Sequence, residues 1–173
     1  IKAAARYGVL NYRGEDGYTL SGKTAVIMGC DEPFVTDMMV DGIVEGNFPQ
    51  TESEIMLTQS AKARLGFQVG DTIVMDGPDD KKLSYMISGF CKDTIKTTSE
   101  DSLGAAITTE AFRTIYPAVK NETLEDYDSV FYIQFENPWK ARQEISDLKA
   151  DCGLSDDQIY ENVKLLGMYG QSD

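Results

Sequence analysis

Carboxylates are the side chains best placed for acid–base or metal chemistry in this chain, because it contains no histidine. That absence excludes Ser-His and Cys-His nucleophile pairs and histidine metal ligands within the chain. Glu52 and Glu54, Asp79 and Asp80, and Asp156 and Asp157 are the close acidic pairs. A two-carboxylate hydrolase needs its acids on facing elements across a cleft, which spacing alone does not locate. Solvated surface acids are the expectation, since isolated acids are mostly exposed. Glu54 stands apart because it opens a strand, and there a hydrogen-bonding structural role is expected.

Other reactive patterns are weaker. Calcium suits clustered carboxylates and carbonyls, but neither "DGPDDKK" nor "ETLEDYD" has the EF-hand spacing. Gly70-Asp71 lacks the rest of a phosphate loop and reads as a turn entering a strand. Cys30, Cys91 and Cys152 are odd in number and far apart, so buried free thiols are expected rather than a disulfide framework. Gly42 and Gly46 form a Gly-x-x-x-Gly whose polar flanks argue against helix dimerisation in a membrane. Asn121-Glu122-Thr123 is a glycosylation sequon, meaningful only in a eukaryotic secretory setting. Met38, Met39, Met56, Met75, Met86 and Met168 fall mostly at strand or helix positions, which favours core filling over an adaptable surface. Trp139, Tyr132 and Tyr160 are candidates for partner contact, since aromatic residues anchor interfaces.

With 29 acidic and 16 basic residues, the 173-residue chain carries a formal charge of −13. Nucleic acid and anionic membrane surfaces call for the opposite sign. Solubility accounts for such acidity in general, and recruitment of a cationic peptide or of metal ions is the functional alternative. The length allows one domain with a sizeable core, or two lobes sharing a chain crossing. No apolar run reaches the roughly 18 to 20 residues of a membrane helix. The start at Ile1 without Met reads as an excised fragment whose flanks hold any membrane segments.

The elements that must position these residues follow from periodicity and turn chemistry. Residues 3–12 and 24–30 read as strands around a polar turn from Arg13 to Lys23. Asp31 reads as an N-cap, with Pro33 in the first turn of a short helix from Phe34 to Val40. Glu54 to Leu57 is a strand, followed by a helix capped by Thr58 and stopped at Gly66 in the left-handed conformation. Val69 to Met75 and Leu83 to Phe90 are strands around an acidic turn. Residues 92–104 read as a surface loop. A short strand and a helix ending before Pro117 come next, then an acidic loop over 120–128. "SVFYIQF" suits a strand buried on both faces. Asn137 and Pro138 start a helix whose apolar face is Ala141, Ile145, Leu148 and Cys152, and Gly153 ends it. A final segment near "ENVKLLGMYG" would complete a strand, helix, strand unit.

The order of residues from Gly42 to Gly89 resembles the extracytoplasmic core domain of FtsX-like and MacB-type ABC-transporter permeases. Gly46, Pro49, Glu54, Ile55, Leu57, Leu65, Gly66, Gly70, Asp71, Ile73, Tyr85, Ile87 and Gly89 carry the likeness, joined by Asn162, Leu165, Leu166 and Gly170 near the C-terminal end. What the resemblance implies is an α+β fold of two lobes. Residues 1–46 and 105–173 would form an α/β lobe, and 47–104 an inserted β-rich lobe with one short helix. It further implies a non-catalytic domain on the outer side of the cell membrane, hung between membrane helices. A separate cytoplasmic ATPase would hydrolyse ATP, and the domain itself would hold no cofactor. A second permease copy and an extracytoplasmic peptide, lipid or protein are the implied partners. The alternative is a free-standing secreted or lipid-anchored ligand-binding module, and an enzyme using carboxylates is a distant third.

Overall fold

The structure is a computed structural model, and it describes residues 1–10, 17–39, 42–93, 101–120 and 130–161. Among the described residues, nine strands and three α-helices make it an α+β protein. The strands are β1 (Ala3–Leu10), β2 (Thr19–Leu20), β3 (Lys23–Cys30), β4 (Ile43–Gly46), β5 (Glu54–Thr58), β6 (Thr72–Asp76), β7 (Lys82–Cys91), β8 (Ser102–Ile107) and β9 (Val130–Gln134). Their order in one mixed sheet is β2-β6-β7-β5-β8-β3-β1-β9, with β4 alongside β7. β3–β8 and β5–β7 are parallel, and the other pairs with a given register are antiparallel.

β2 pairs with both β6 and β3, so six strands close on themselves. Closure removes two exposed edges that would otherwise invite pairing with other chains. This two-residue strand lies in the segment expected to be only a turn. Its Tyr18-Thr19-Leu20 stretch buries the first and third residues into the main core. Alternation elsewhere sorts residues onto two faces, as the strand period of two requires. Ile27, Ile55, Leu57, Ile73, Ile87 and Phe90 join the larger core, while Met28, Met56, Cys91 and Ala106 join a second cluster on the opposite face. β8 is buried at all six positions. A strand covered on both faces reads as a continuous apolar run.

Helix α1 (Gln59–Leu65) ends as the sequence requires. Gly66 adopts φ 74° and ψ 11°, and its N–H donates to the Lys62 carbonyl. A Cβ there would meet no atom within 4 Å, so Gly66→Ala tests backbone conformation alone. The substitution should cost about 1 kcal/mol in a denaturant melt, because only glycine enters this region without strain. An unchanged midpoint would contradict the assignment.

Several local expectations are corrected. A helical segment does begin after Asp31, with Glu32 and Pro33 helical and the Asp31 carbonyl accepting the Phe34 N–H. Phe34–Met38 is wound as a π-helix, however, and the Asp31 carboxylate binds Arg6 and Thr109 instead of capping it. Residues 102–104, expected in a surface loop, are buried in β8, where Ser102 registers with Thr24. Helix α2 (Thr109–Lys120) continues through Pro117. The proline sacrifices one N–H bond, while Phe112 and Ile115 anchor the helix in the core. β9 is not covered on both faces, since Phe131, Tyr132 and Ile133 are exposed. Strand residues 11–12, the acidic loop over 121–128 and the final strand near 162–170 lie outside the described residues.

Two compact units divide the chain: 4–132, and 1–3 with 133–173. In the larger unit, β5 pairs with both β7 and β8, so strands from 47–104 and 105–107 share one sheet. In the smaller unit, helix α3 (Ala141–Cys152) follows a single turn at Pro138–Lys140, where Asn137 Oδ1 accepts the Trp139 N–H at 3.0 Å. Gly153, at φ 66°, ends the helix, and Ser155 and Gln158 form a reciprocal capping box just beyond.

Candidate functional site

The residues from Gly46 to Gly89 converge on a depression of about 380 Å³ in the larger unit. Two turns build its walls. Glu54 Oε2 accepts the backbone N–H groups of Gln50 at 2.7 Å and Thr51 at 3.0 Å, tying down the loop between β4 and β5. Asp71 Oδ2 accepts the Gln68 N–H at 2.8 Å, the Gly70 N–H donates to the Ile87 carbonyl, and the Ile87 N–H donates to the Asp71 carbonyl. A carboxylate accepting backbone N–H bonds satisfies donors that a loop would otherwise leave bare.

The floor is formed by Phe48 and Ile87, both buried. Beside it β7 carries a bulge. Ile55 registers with Ile87, but the next residue, Met56, registers with Gly89, so Ser88 is the extra residue. Its hydroxyl donates to the Ile55 carbonyl at 3.3 Å. A bulge shifts the phase of the strand, which is how Phe90 comes to the same core as Ile87. Across the bulge Gly46 faces Gly89, and the β4 and β7 backbones approach too closely for a Cβ on either.

Glu54 and Gly70 line the depression directly, and Gly46, Pro49, Asp71 and Gly89 each neighbour a lining residue in sequence. Ile55 is buried in the core, and Gly66 closes α1. Glu32, Asn47, Phe48, Gln50 and Ser88 also line the depression and were not singled out by pattern reading, while Val69 and Met86 were read only as strand and core positions. Met86, expected in the core, is 44% exposed and Val69 is 41% exposed. The signal was present in β7, because inward Tyr85 and Ile87 force Met86 outward.

The aromatic candidates occupy different places. In the larger unit, Tyr132 packs edge-on against Phe34, with ring centroids 5.4 Å apart. In the smaller unit, Trp139 opens the turn before α3 and Tyr160 is 92% exposed.

Elsewhere the acids sit in separate turns. Asp79 and Asp80 take left-handed conformations in the β6–β7 connection. Asp156 bonds Lys149 at 2.8 Å, and the Ser155 hydroxyl holds the Asp157 carboxyl below its ordinary range. Among the described residues no group of three or more Cys, Asp or Glu is placed to hold a metal ion. All three cysteines are free. Burial raises the Cys30 thiol and pushes the Cys91 thiol up to about 12. Cys152, expected to be buried, is exposed beside the helix stop at Gly153. A thiolate-selective reagent should therefore modify Cys152 in the native protein and the other two only after denaturation. Fast modification of Cys30 or Cys91 would contradict their burial.

No family model matches the sequence, and no curated protein matches it. Among solved structures, the fold is similar to a domain of a permease protein from Porphyromonas gingivalis, with a TM-score of 0.54 at 12% identity. That match covers 87% of this chain and 64% of the other, so the chain spans under two thirds of that structure. The periplasmic region of MacB from Actinobacillus actinomycetemcomitans is similar with a TM-score of 0.56 at 14% identity, over 90% of this chain and 70% of that one. The fold is thus one found in permease and MacB periplasmic domains. Among the described residues no helix is long and apolar enough to cross a membrane.

Proposed function

We propose that this chain is a non-catalytic extracytoplasmic domain of an FtsX-like, MacB-type ABC-transporter permease. The observation that carries the reading is the likeness to the MacB periplasmic region over 90% of the chain. In this role the domain engages a substrate or partner outside the cytoplasm, and flanking membrane helices couple it to an ATPase on the inner side. Rigid backbone geometry suits a part that transmits movement. The bulge at Ser88 and the glycine contact between β4 and β7 fix the loop that borders the depression.

Topology mapping of the full-length gene product tests this directly. Apolar spans of about 20 residues should flank the domain, and a membrane-impermeant thiol reagent should reach Cys152 in intact spheroplasts. Protection of Cys152 until the membrane is lysed would place the domain on the wrong side and overturn the reading. The isolated domain should also show no saturable heat with Mg-ATP in isothermal titration. Micromolar binding would contradict a separate ATPase.

A further inference from the structure

We propose that the depression beside the β7 bulge is a docking surface for a cationic polypeptide segment carrying apolar side chains. This deepens the partner reading but does not rest on membrane attachment, since a detached domain would present the same surface.

Three observations meet there. The first is apolar: Val69 and Met86 stay exposed on the wall above the buried Phe48 and Ile87. Methionine is a soft, adaptable contact residue, and here it is held outward by a strand rather than filling a core. The second is unbalanced charge. Glu32 and Glu54 line the depression and, among the described residues, no lysine or arginine does. Among the described residues the Glu32 side chain has no hydrogen bond or ion pair, and Glu54 accepts backbone bonds through Oε2 and none through Oε1. The turn bonds hold that second carboxylate in place, so ordering it on binding costs little. The third is the charge of −13 on the chain, which attracts cations and repels acidic partners over the distance of a Debye length.

The cavity is at the small end of ligand sites, which run from about 300 to 1,000 Å³. It has room for two or three side chains rather than a large cofactor. A peptide alternating basic and aliphatic residues satisfies both features at once, with its aliphatic groups on Met86 and Val69 and its ammonium groups on the two glutamates. A free metal ion would use only the carboxylates, and a neutral apolar ligand only the floor.

The test uses the 173-residue chain, isotopically labelled, and a pentapeptide alternating lysine and leucine at about 150 mM salt. Amide shifts should move saturably at Asn47–Glu54, Val69–Gly70 and Met86–Ser88. A lysine–serine peptide and a glutamate–leucine peptide should each bind at least about tenfold more weakly. Glu32→Gln with Met86→Ser should weaken binding by a similar factor while leaving the melting temperature unchanged, because the Glu32 side chain has no partner among the described residues and Met86 is exposed. Asp156→Asn, in the smaller unit, should change nothing. Shifts spread over the whole acidic surface, equal binding of the lysine–serine peptide, or no saturation at millimolar peptide would each overturn the proposal. So would a dimer that buries Met86, because the occupant would then be a second copy. Membrane topology plays no part in this readout, so its failure is separable from failure of the permease reading.

Discussion

Gly89→Ala should destabilise the domain by about 3 kcal/mol or more, and Gly46→Ala by a similar amount. A Cβ at Gly89 would lie 2.6 Å from the Glu45 carbonyl oxygen and 2.8 and 2.9 Å from the backbone of Asn47. At Gly46 it would lie 2.3 Å from the Ser88 carbonyl oxygen, and φ there is 72°. The obstructing atoms are backbone on both sides, so no rotamer change relieves the clash. Overpacking costs about 1 to 3 kcal/mol even where side chains can yield, and at Gly46 a left-handed alanine adds about 1 kcal/mol. These glycines therefore differ in kind from Gly66, whose missing Cβ faces open space. Urea melts of the three alanine variants should rank Gly46 and Gly89 well above Gly66 in lost stability. Equal losses would show that strand β4 can separate from β7 at little cost. The same strain would move the loop carrying Asn47 and Phe48, so any ligand of the depression should lose affinity in the Gly46 and Gly89 variants and keep it in Gly66→Ala.

Sequence reading was most reliable where physics is local. Gly66 and Gly153 end helices by their own conformation, and Asn137 caps with its own side chain, so a window of a few residues contains the cause. The alternation in β7 up to its bulge likewise declares which residues face the core, whereas β5 is a continuous run buried from Ile55 to Thr58. Misreadings arose where a distant partner decides. Ser102 and Leu103 look like loop residues until β3 pairs beside them, and β2 is too short to show a period but is held by strands on both sides. Phe131 to Ile133 have the composition of a buried strand, yet composition does not supply a covering layer. The depression shows the same division. Gly70 and Asp71 were legible as a turn and Glu54 as a strand start with a hydrogen-bonding role, whereas their meeting around Met86 depends on the β6–β7 and β4–β7 pairings.

Asp31 is the sharpest case of a distant partner, and it gives the domain an acid-sensitive joint. Its Oδ2 accepts the Arg6 backbone N–H at 2.9 Å and Nε at 3.1 Å, while Oδ1 accepts Arg6 Nη2 at 3.1 Å and the Thr109 hydroxyl at 3.1 Å. One carboxylate thereby ties β1, the end of β3 and the start of α2 together. Burial pushes this carboxyl up, but the Arg6 side chain, the Arg6 N–H and the Thr109 hydroxyl together hold it below the ordinary range. A folded pKa below the unfolded one means that ionised Asp31 stabilises the native state above about pH 4 and that this stabilisation is lost as pH falls through the lowered folded value. Bonds to a charged group contribute about 1.5 to 3 kcal/mol. Both side chains are 28% exposed, and water screens part of that, so Asp31→Asn should cost about 2 kcal/mol near neutral pH. Thermal melts of the two proteins from about pH 7 to about pH 3 should show the gap narrowing on the acid side, because protonation turns wild-type Asp31 into a neutral group much like asparagine. A gap that stays constant or widens in acid would mean that the shape of the side chain, and not its charge, holds β1 to α2.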